Sequence, residues 1–291
     1  MTLYDDISHS LSYLSSTINA NVVDSESHFT VVINGLDRSP EIIRHLAVYT
    51  VAVVSHAIEA NLRISADLME DNRESILEIQ GCFARYIQHN NNYSTATEKR
   101  FIDRARNPWL AEVIVHMLLN ISTTVRNLHP PGEILTTSFV HDLPTDNGLD
   151  AAALFISQSL GVVVVECKAY KNRPAAAFRD ATNYYTNFNN NHILGKRIRT
   201  HVQVMRGYLT EEYRNQATNS FWKQEKSFVP TIFYDSSKNE DWSIGRDQMR
   251  NMVVNKDKRI LVPIVIDNFH LFFNELSDAI RVYIGEMLQN V

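Results

Sequence analysis

Three charged side chains stand where packing alone gives no reason for them. Glu166 and Lys168 lie two apart inside the apolar run Gly161 to Tyr170, GVVVVECKAY. Four consecutive valines predict a central strand buried on both faces. Side chains alternate along a strand, so Glu166 and Lys168 share one face while Val165 and Cys167 take the other. Asp150 opens the preceding predicted strand, Leu149 to Ser157 (LDAAALFIS). The short link from Ser157 to Leu160 predicts an antiparallel hairpin. With a register centred near residue 159, Asp150 lies across from Lys168 and on the face of Glu166. Two adjacent carboxylates repel, and one must take a proton unless a cation stands between them. A hard divalent ion such as Mg²⁺, with Mn²⁺ as a substitute, accepts oxygen ligands of this kind and keeps its own waters. Such an ion polarises a phosphate oxygen and lowers the pKa of a bound water. Lys168 beside it orients or deprotonates that water, or offsets phosphate charge; the residues alone leave these roles open.

The string Gly148-Leu149-Asp150, fifteen further residues, then Glu166-Cys167-Lys168 in a valine-rich strand resembles the D…ExK signature of the PD-(D/E)XK nuclease superfamily. The predicted order from residue 104 to 235 (helix, three strands, helix, strand) is similar as well, and covers under half of the chain. The resemblance implies that Asp150 and Glu166 bind the metal and that Lys168 is catalytic. It implies that Glu112, on the helix before the first strand (WLAEVIVHML), assists the metal. It implies a restriction-endonuclease-like α/β (α+β) core, a central mixed sheet flanked by helices. One departure stands out. Some members place Gln and Tyr four apart on the helix after the ExK strand; here Asp180 and Tyr184 hold that spacing without the Gln. Among subgroups, the layout is similar to the nuclease subunit of Hachiman-type antiphage systems. That likeness implies DNA as substrate and a helicase or ATPase subunit as a controlling partner.

The elements that must position these residues follow from periodicity. Trp109, Leu110, Val113, Ile114, Met117, Leu118 and Ile121 form an apolar stripe on a predicted helix from Arg104 to Thr124. Strands are predicted over Glu133 to Val140, Phe228 to Tyr234 and Ile260 to Ile266. Pro174 opens a helix to about Phe188, and a last amphipathic helix spans Leu276 to Leu288. Upstream, His28 to Asn34 alternates as a strand. Ser39-Pro40-Glu41 starts a helix to about Ala60, and another covers Arg73 to Arg85. The polar stretch Tyr86 to Lys99 (YIQHNNNYSTATEK) divides the chain. Residues 1–100 then read as an accessory, mostly helical region, and 101–291 as the nuclease domain with C-terminal additions.

Bulk properties narrow the class. With 44% hydrophobic and 21% charged residues, the 291-residue chain is neither disordered nor fibrous. Two cysteines, Cys82 and Cys167, cannot make a disulfide framework, so a reducing, cytoplasmic setting is expected. The apolar stretch Leu46 to Val54 falls short of the roughly 20 residues a membrane span needs. Net charge is −5, yet residues 166–226 carry eleven Lys/Arg against five Asp/Glu. Lys171, Arg173 and Arg179, and later Lys196, Arg197 and Arg199, are candidates to hold DNA phosphates without reading sequence. Plainer readings stand beside these. Glu166 and Lys168 fit a surface ion pair, Asp150 a turn residue after Asn147-Gly148, and Glu112 a solvated helix position beside His116. Tyr184, Tyr185 and Phe188 fit core packing as well as base stacking. The histidines show no metal-ligand spacing. A stand-alone type II restriction endonuclease, or a non-catalytic nucleic-acid-binding module on the same fold, remain the rival readings.

Overall fold

A computed structural model describes residues 3–58, 73–91, 94–140, 149–186, 188, 192–218, 221–238, 242–252 and 254–291. The expected Asn147-Gly148 turn and the end of the helix expected to reach Ala60 lie outside these residues. The valine-rich segment is strand β5 (Leu160–Ala169), buried along its length except at Lys168. It is central in a seven-stranded mixed sheet. Its partners on one side are β4 (Ala151–Ile156) and then β3 (Glu133–Thr137), both antiparallel. On the other side β6 (Lys226–Asp235) and β7 (Ile260–Ile266) run parallel to it and to each other. Such a strand, covered by helices on both faces, has no use for polar alternation, which is why it reads as a continuous apolar run.

The sheet does not end at β7. Strand β2 (Phe29–Asn34) pairs in parallel with it, and β1 (Asn19–Asp24) closes that edge antiparallel to β2. The segments before and after residue 100 therefore share one sheet. They also share one apolar core, which lies between the sheet and helices α1 (Leu3–Thr17), α2 (Pro40–Val54) and α3 (Arg73–Tyr86). Helix α5 (Asn107–Ile121) and the 21-residue α10 (Phe269–Gln289) complete that layer. The polar stretch around residue 90 is less of a gap than its composition suggests. Thr95 and Glu98 form a reciprocal capping box that starts α4 (Ala96–Phe101). The second core, on the opposite face, is filled from α6 (Pro174–Thr186), α7 (His192–Arg206) and α9 (Ser243–Arg250). A short helix, α8 (Glu211–Gln216), touches the hairpin turn, where Gln216 Oε1 accepts from the Leu160 N–H.

A π-helical turn, Ile102–Arg106, joins α4 to α5. Turns of this kind are rare and need local support. Here Arg106 supplies it. Its guanidinium is fully buried and donates to the side-chain oxygens of Asn107 (3.0 Å), Asn91 (2.9 Å) and Asn274 (2.7 Å). The turn is thereby tied to α10. The start of α10 is fixed in turn by Asp235 at the end of β6, whose carboxylate accepts from the Phe269 N–H at 3.0 Å.

The expected tight turn between β4 and β5 depends on Gly161. A Cβ there would come within 2.4 Å of the Phe155 ring. Gly161→Ala is expected to cost about 1–3 kcal/mol in urea unfolding, and Phe155→Leu should recover part of that loss. Unchanged stability in Gly161→Ala would contradict the packing described.

His116 and His129 are among the buried histidines. Tyr49 Oη lies 2.8 Å from His116 Nδ1 and accepts from Asn120 Nδ2 at 2.8 Å, while His129 Nδ1 lies 2.8 Å from the Gly132 carbonyl. Burial pulls both imidazoles down to about 4, against a backbone hydrogen bond that favours the charged form. An unfolded histidine titrates near 6.5, so between pH 6.5 and 4 the unfolded chain binds the extra protons. Their contribution is complete above pH 6.5 and is lost as pH falls toward 4, by up to about 1.4 kcal/mol per pH unit for each. The urea midpoint of His129→Gln should fall less steeply across that window than the parent's; parallel curves would exclude the effect.

Candidate metal and catalytic site

Ladder pairing places Ala151 opposite Val165 and Ile156 opposite Leu160. The hairpin is thus centred on Gln158, one residue earlier than the expected centre near 159. Continued by one step, this register sets Asp150 level with Glu166 and not with Lys168. The reason is the turn: three residues, Ser157 to Ser159, with Leu160 already paired. Asp150 itself lies just before β4. Its carboxylate takes over where the backbone ladder stops, accepting the Cys167 N–H at 2.6 Å.

Alternation on β5 holds as expected. Val163, Val165, Cys167 and Ala169 face the core with α5 and α10, while Val162 and Val164 face α6 and α7. Glu166 and Lys168 fall on the second face. The Lys168 ammonium donates to Glu166 Oε1 at 2.5 Å, with side-chain exposures of 24% and 8%. Such depth sets the pair apart from an exposed surface ion pair. The other carboxylate oxygen, Glu166 Oε2, is buried without a hydrogen-bond partner.

The electrostatics mark one coupled cluster. Burial, then the charge of Asp150, pushes the Glu166 carboxyl up to about 8, against the pull of Lys168. Glu112 on α5 is also raised well above the usual carboxylate range, by burial first and Asp150 second. Burial alone would pull the Lys168 ammonium down, but Glu166 and Asp150 outweigh it and its pKa is raised. Glu112, Asp150 and Lys168 line one open cleft of about 830 Å³ at the C-terminal end of β5. The structure therefore brings together the four residues singled out in the sequence: Glu112, Asp150, Glu166 and Lys168. Helix α5 is buried nearly all round, so Glu112 is half-buried at the cleft wall and not on a solvated face. Among the described residues, no three His, Cys, Asp or Glu side chains are already drawn into a ligand shell. Glu166 is turned onto Lys168, and Asp150 onto the Cys167 amide.

The basic candidates divide. Lys171 and Arg173 line the cleft, joined by Arg104 from the π-helical turn. Arg179 on α6 does not line it; its guanidinium stands 3.3 Å from Asp180. Lys196 and Arg199 are exposed on α7. Sequence reasoning missed the far wall, formed by Asp103, Pro108, Phe269 and His270. No local pattern could have found it, because α10 meets the π-helical turn across more than a hundred residues. It also missed the placement of Tyr184. The Tyr184 hydroxyl is buried without a hydrogen-bond partner, and its pKa is raised by burial, then by Glu166 and Asp150. Tyr185 and Phe188 are core: their rings pack on Phe228 with centroids 4.5 and 4.9 Å away.

The donor set fits a hard divalent cation. Carboxylate oxygens are the right ligands, and the unpartnered buried Glu166 Oε2 is an acceptor in want of a positive partner. No family model matches the chain, and no curated protein matches it.

Asp150 can be tested apart from any ion. Asp150→Asn keeps an oxygen for the Cys167 amide and removes one repelling charge, so in chelator it should be as stable as the parent or more so. Asp150→Ala orphans that amide and should cost about 1–3 kcal/mol. Equal urea midpoints for the two variants would argue against the capping role.

Proposed function

We propose that the chain is a divalent-metal-dependent nuclease that hydrolyses DNA phosphodiester bonds. One observation carries this reading: Glu112, Asp150 and Lys168 line a cleft at the end of β5 together with Arg104, Lys171 and Arg173, and Glu166, bonded to Lys168 beside it, leaves one buried oxygen unpartnered. Asp150 and Glu166, assisted by Glu112, are the residues that would hold Mg²⁺ or Mn²⁺. A bound ion there supplies Lewis-acid polarisation of the phosphate and a more acidic water. The chain's own residues do the rest. Lys168 brings an N–H donor and a positive charge to the spot, orienting the attacking water and offsetting charge on the phosphate. Lys171, Arg173 and Arg104 hold backbone phosphates, which positions DNA without selecting sequence. Asp150 is pinned by the Cys167 amide.

The same reading takes in the resemblance to Hachiman-type nuclease subunits: a cytoplasmic role in bacterial antiphage defence, with a helicase or ATPase partner that controls cutting. Among the described residues no helix is long and apolar enough to cross a membrane.

Lys168→Ala is the direct test. With Mn²⁺, wild type is expected to cut linear or supercoiled DNA, and Lys168→Ala to lose cleavage by a factor of about 100 or more with its circular dichroism unchanged. Equal rates would remove Lys168 from the mechanism. A wild-type protein that neither cuts, with an ATPase partner present, nor shows a Mn²⁺-dependent rise in melting temperature would leave only the non-catalytic binding module.

A further inference from the structure

The face of β5 that carries Glu166 and Lys168 has one more residue on it. Tyr170 is the next in the alternation, and its backbone N–H donates to the Phe233 carbonyl at 3.0 Å, continuing the ladder beyond the end of β5. Its place relative to Lys168 is therefore fixed by the sheet: one rung on, about 7 Å along the strand. That is close to the separation of neighbouring phosphates in an extended single strand.

Tyr4, Phe139, Tyr170 and Tyr208 are exposed aromatic side chains, and of these four Tyr170 is the one in the cleft. It is 38% exposed, and it lines the cleft that holds Glu112, Asp150 and Lys168. Its hydroxyl stands 3.5 Å from Asp180 on α6, which steadies the ring. The flanking positions Lys171 and Arg173 are basic and line the same cleft, with Arg104 across it. An exposed, steadied aromatic ring inside a basic groove is how single-stranded nucleic acid is held: cations track the phosphates and the ring stacks on a base. A base inside a duplex is already stacked on both faces and cannot reach such a ring.

We infer that the cleft takes single-stranded DNA, and that Tyr170 stacks on the base next to the phosphate held at Lys168. This rests on the nuclease reading for the role of Lys168, but the stacking contact itself does not require cleavage. On this inference the reaction that supplies the substrate is strand separation. Tyr170 is a specificity-determining residue: it selects unpaired over paired DNA.

The test uses the full chain with Ca²⁺ in place of Mg²⁺, and oligonucleotides carrying 2-aminopurine, whose fluorescence is quenched by stacking. Wild type and Tyr170→Phe should bind single strands and quench the probe. Tyr170→Ala, and Tyr170→Leu, which keeps apolar bulk without a π face, should bind single strands on the order of ten- to a hundred-fold more weakly, while their weaker binding of blunt duplex stays at the parent's level. Quenching that depends on Tyr170 upholds the inference even if no variant cuts DNA, in which case the nuclease reading alone fails. Single-strand affinity equal in wild type, Tyr170→Ala and Tyr170→Leu overturns it, as does blunt duplex bound as tightly as single strand by wild type. Efficient Mn²⁺-dependent cutting of duplex, at the same rate in Tyr170→Ala, would overturn it while leaving the nuclease reading intact.

Discussion

Three carboxylates held within one another's field, with a single ammonium to balance them, are the constraint around which this molecule is arranged. Asp150 raises the proton affinity of both Glu166 and Glu112, Glu166 adds to the effect on Glu112, and Lys168 opposes both shifts. Left to relax, such groups would turn to water. They do not, because each is held by something costlier to break. Glu166 sits on a strand paired on both sides. Asp150 is bonded to the Cys167 amide. Glu112 belongs to a helix whose other residues are nearly all core. A fold that keeps like charges together against their repulsion shows a conflict between local and global preference, and such conflicts are typical of functional sites.

Several distant parts of the chain must cooperate to hold that arrangement. The hairpin of β4 and β5 supplies two of the acids and the lysine; its register is set by a three-residue turn, and the Phe155 ring leaves no room for a side chain at Gly161 beyond it. The parallel partner β6 continues past β5 just far enough to direct Tyr170 and to place Asp235 beneath the start of α10. The buried Arg106 then ties the π-helical turn to α10, and both elements line the cleft. The first hundred residues are part of the same construction. They extend the sheet through β2 and pack α1 and α2 behind α5 and α10. An accessory region in the sense of a separate core is not what they form.

How much of this was legible in the sequence depended on the range over which each feature is determined. The valine run announced a central strand because burial on both faces leaves no alternation to read, and the two charges inside it stood out for the same reason. Their common face followed from the period of two. The register did not, since hydrophobic pattern fixes which face is buried but not where a turn begins; one residue in the turn moved Asp150 from Lys168 to Glu166. Glu112 was obscured by an apolar stripe that seemed to have a dry side and a wet side, whereas α5 lies between the sheet and other helices and has almost no wet side. Strand β1 left no clear apolar pattern, because it is a mostly exposed edge strand. The pairing of β2 with β7 joins residues more than two hundred positions apart, and no local periodicity encodes it. Tyr170, by contrast, was readable: the alternation that aligned 166 with 168 extends to 170.

The charge distribution also bears on how a nucleic acid could be held by a protein of net charge −5. A basic rim of Arg104, Lys171 and Arg173 surrounds an acidic floor. Without a cation the floor repels the very phosphate the rim attracts, so a strand gains contacts at the edge and loses them at the centre. On the nuclease reading, a divalent ion on the carboxylates would cancel the repulsion at the centre. Cation and phosphate would then favour each other's binding, and by linkage the benefit would be mutual: whatever factor the ion added to DNA affinity, DNA would add to ion affinity. In this arrangement the carboxylate cluster does more than position a reagent. On the nuclease reading it would make occupancy of the cleft by one partner conditional on the other, so that DNA without an ion on the carboxylates would be held weakly at the place of cutting.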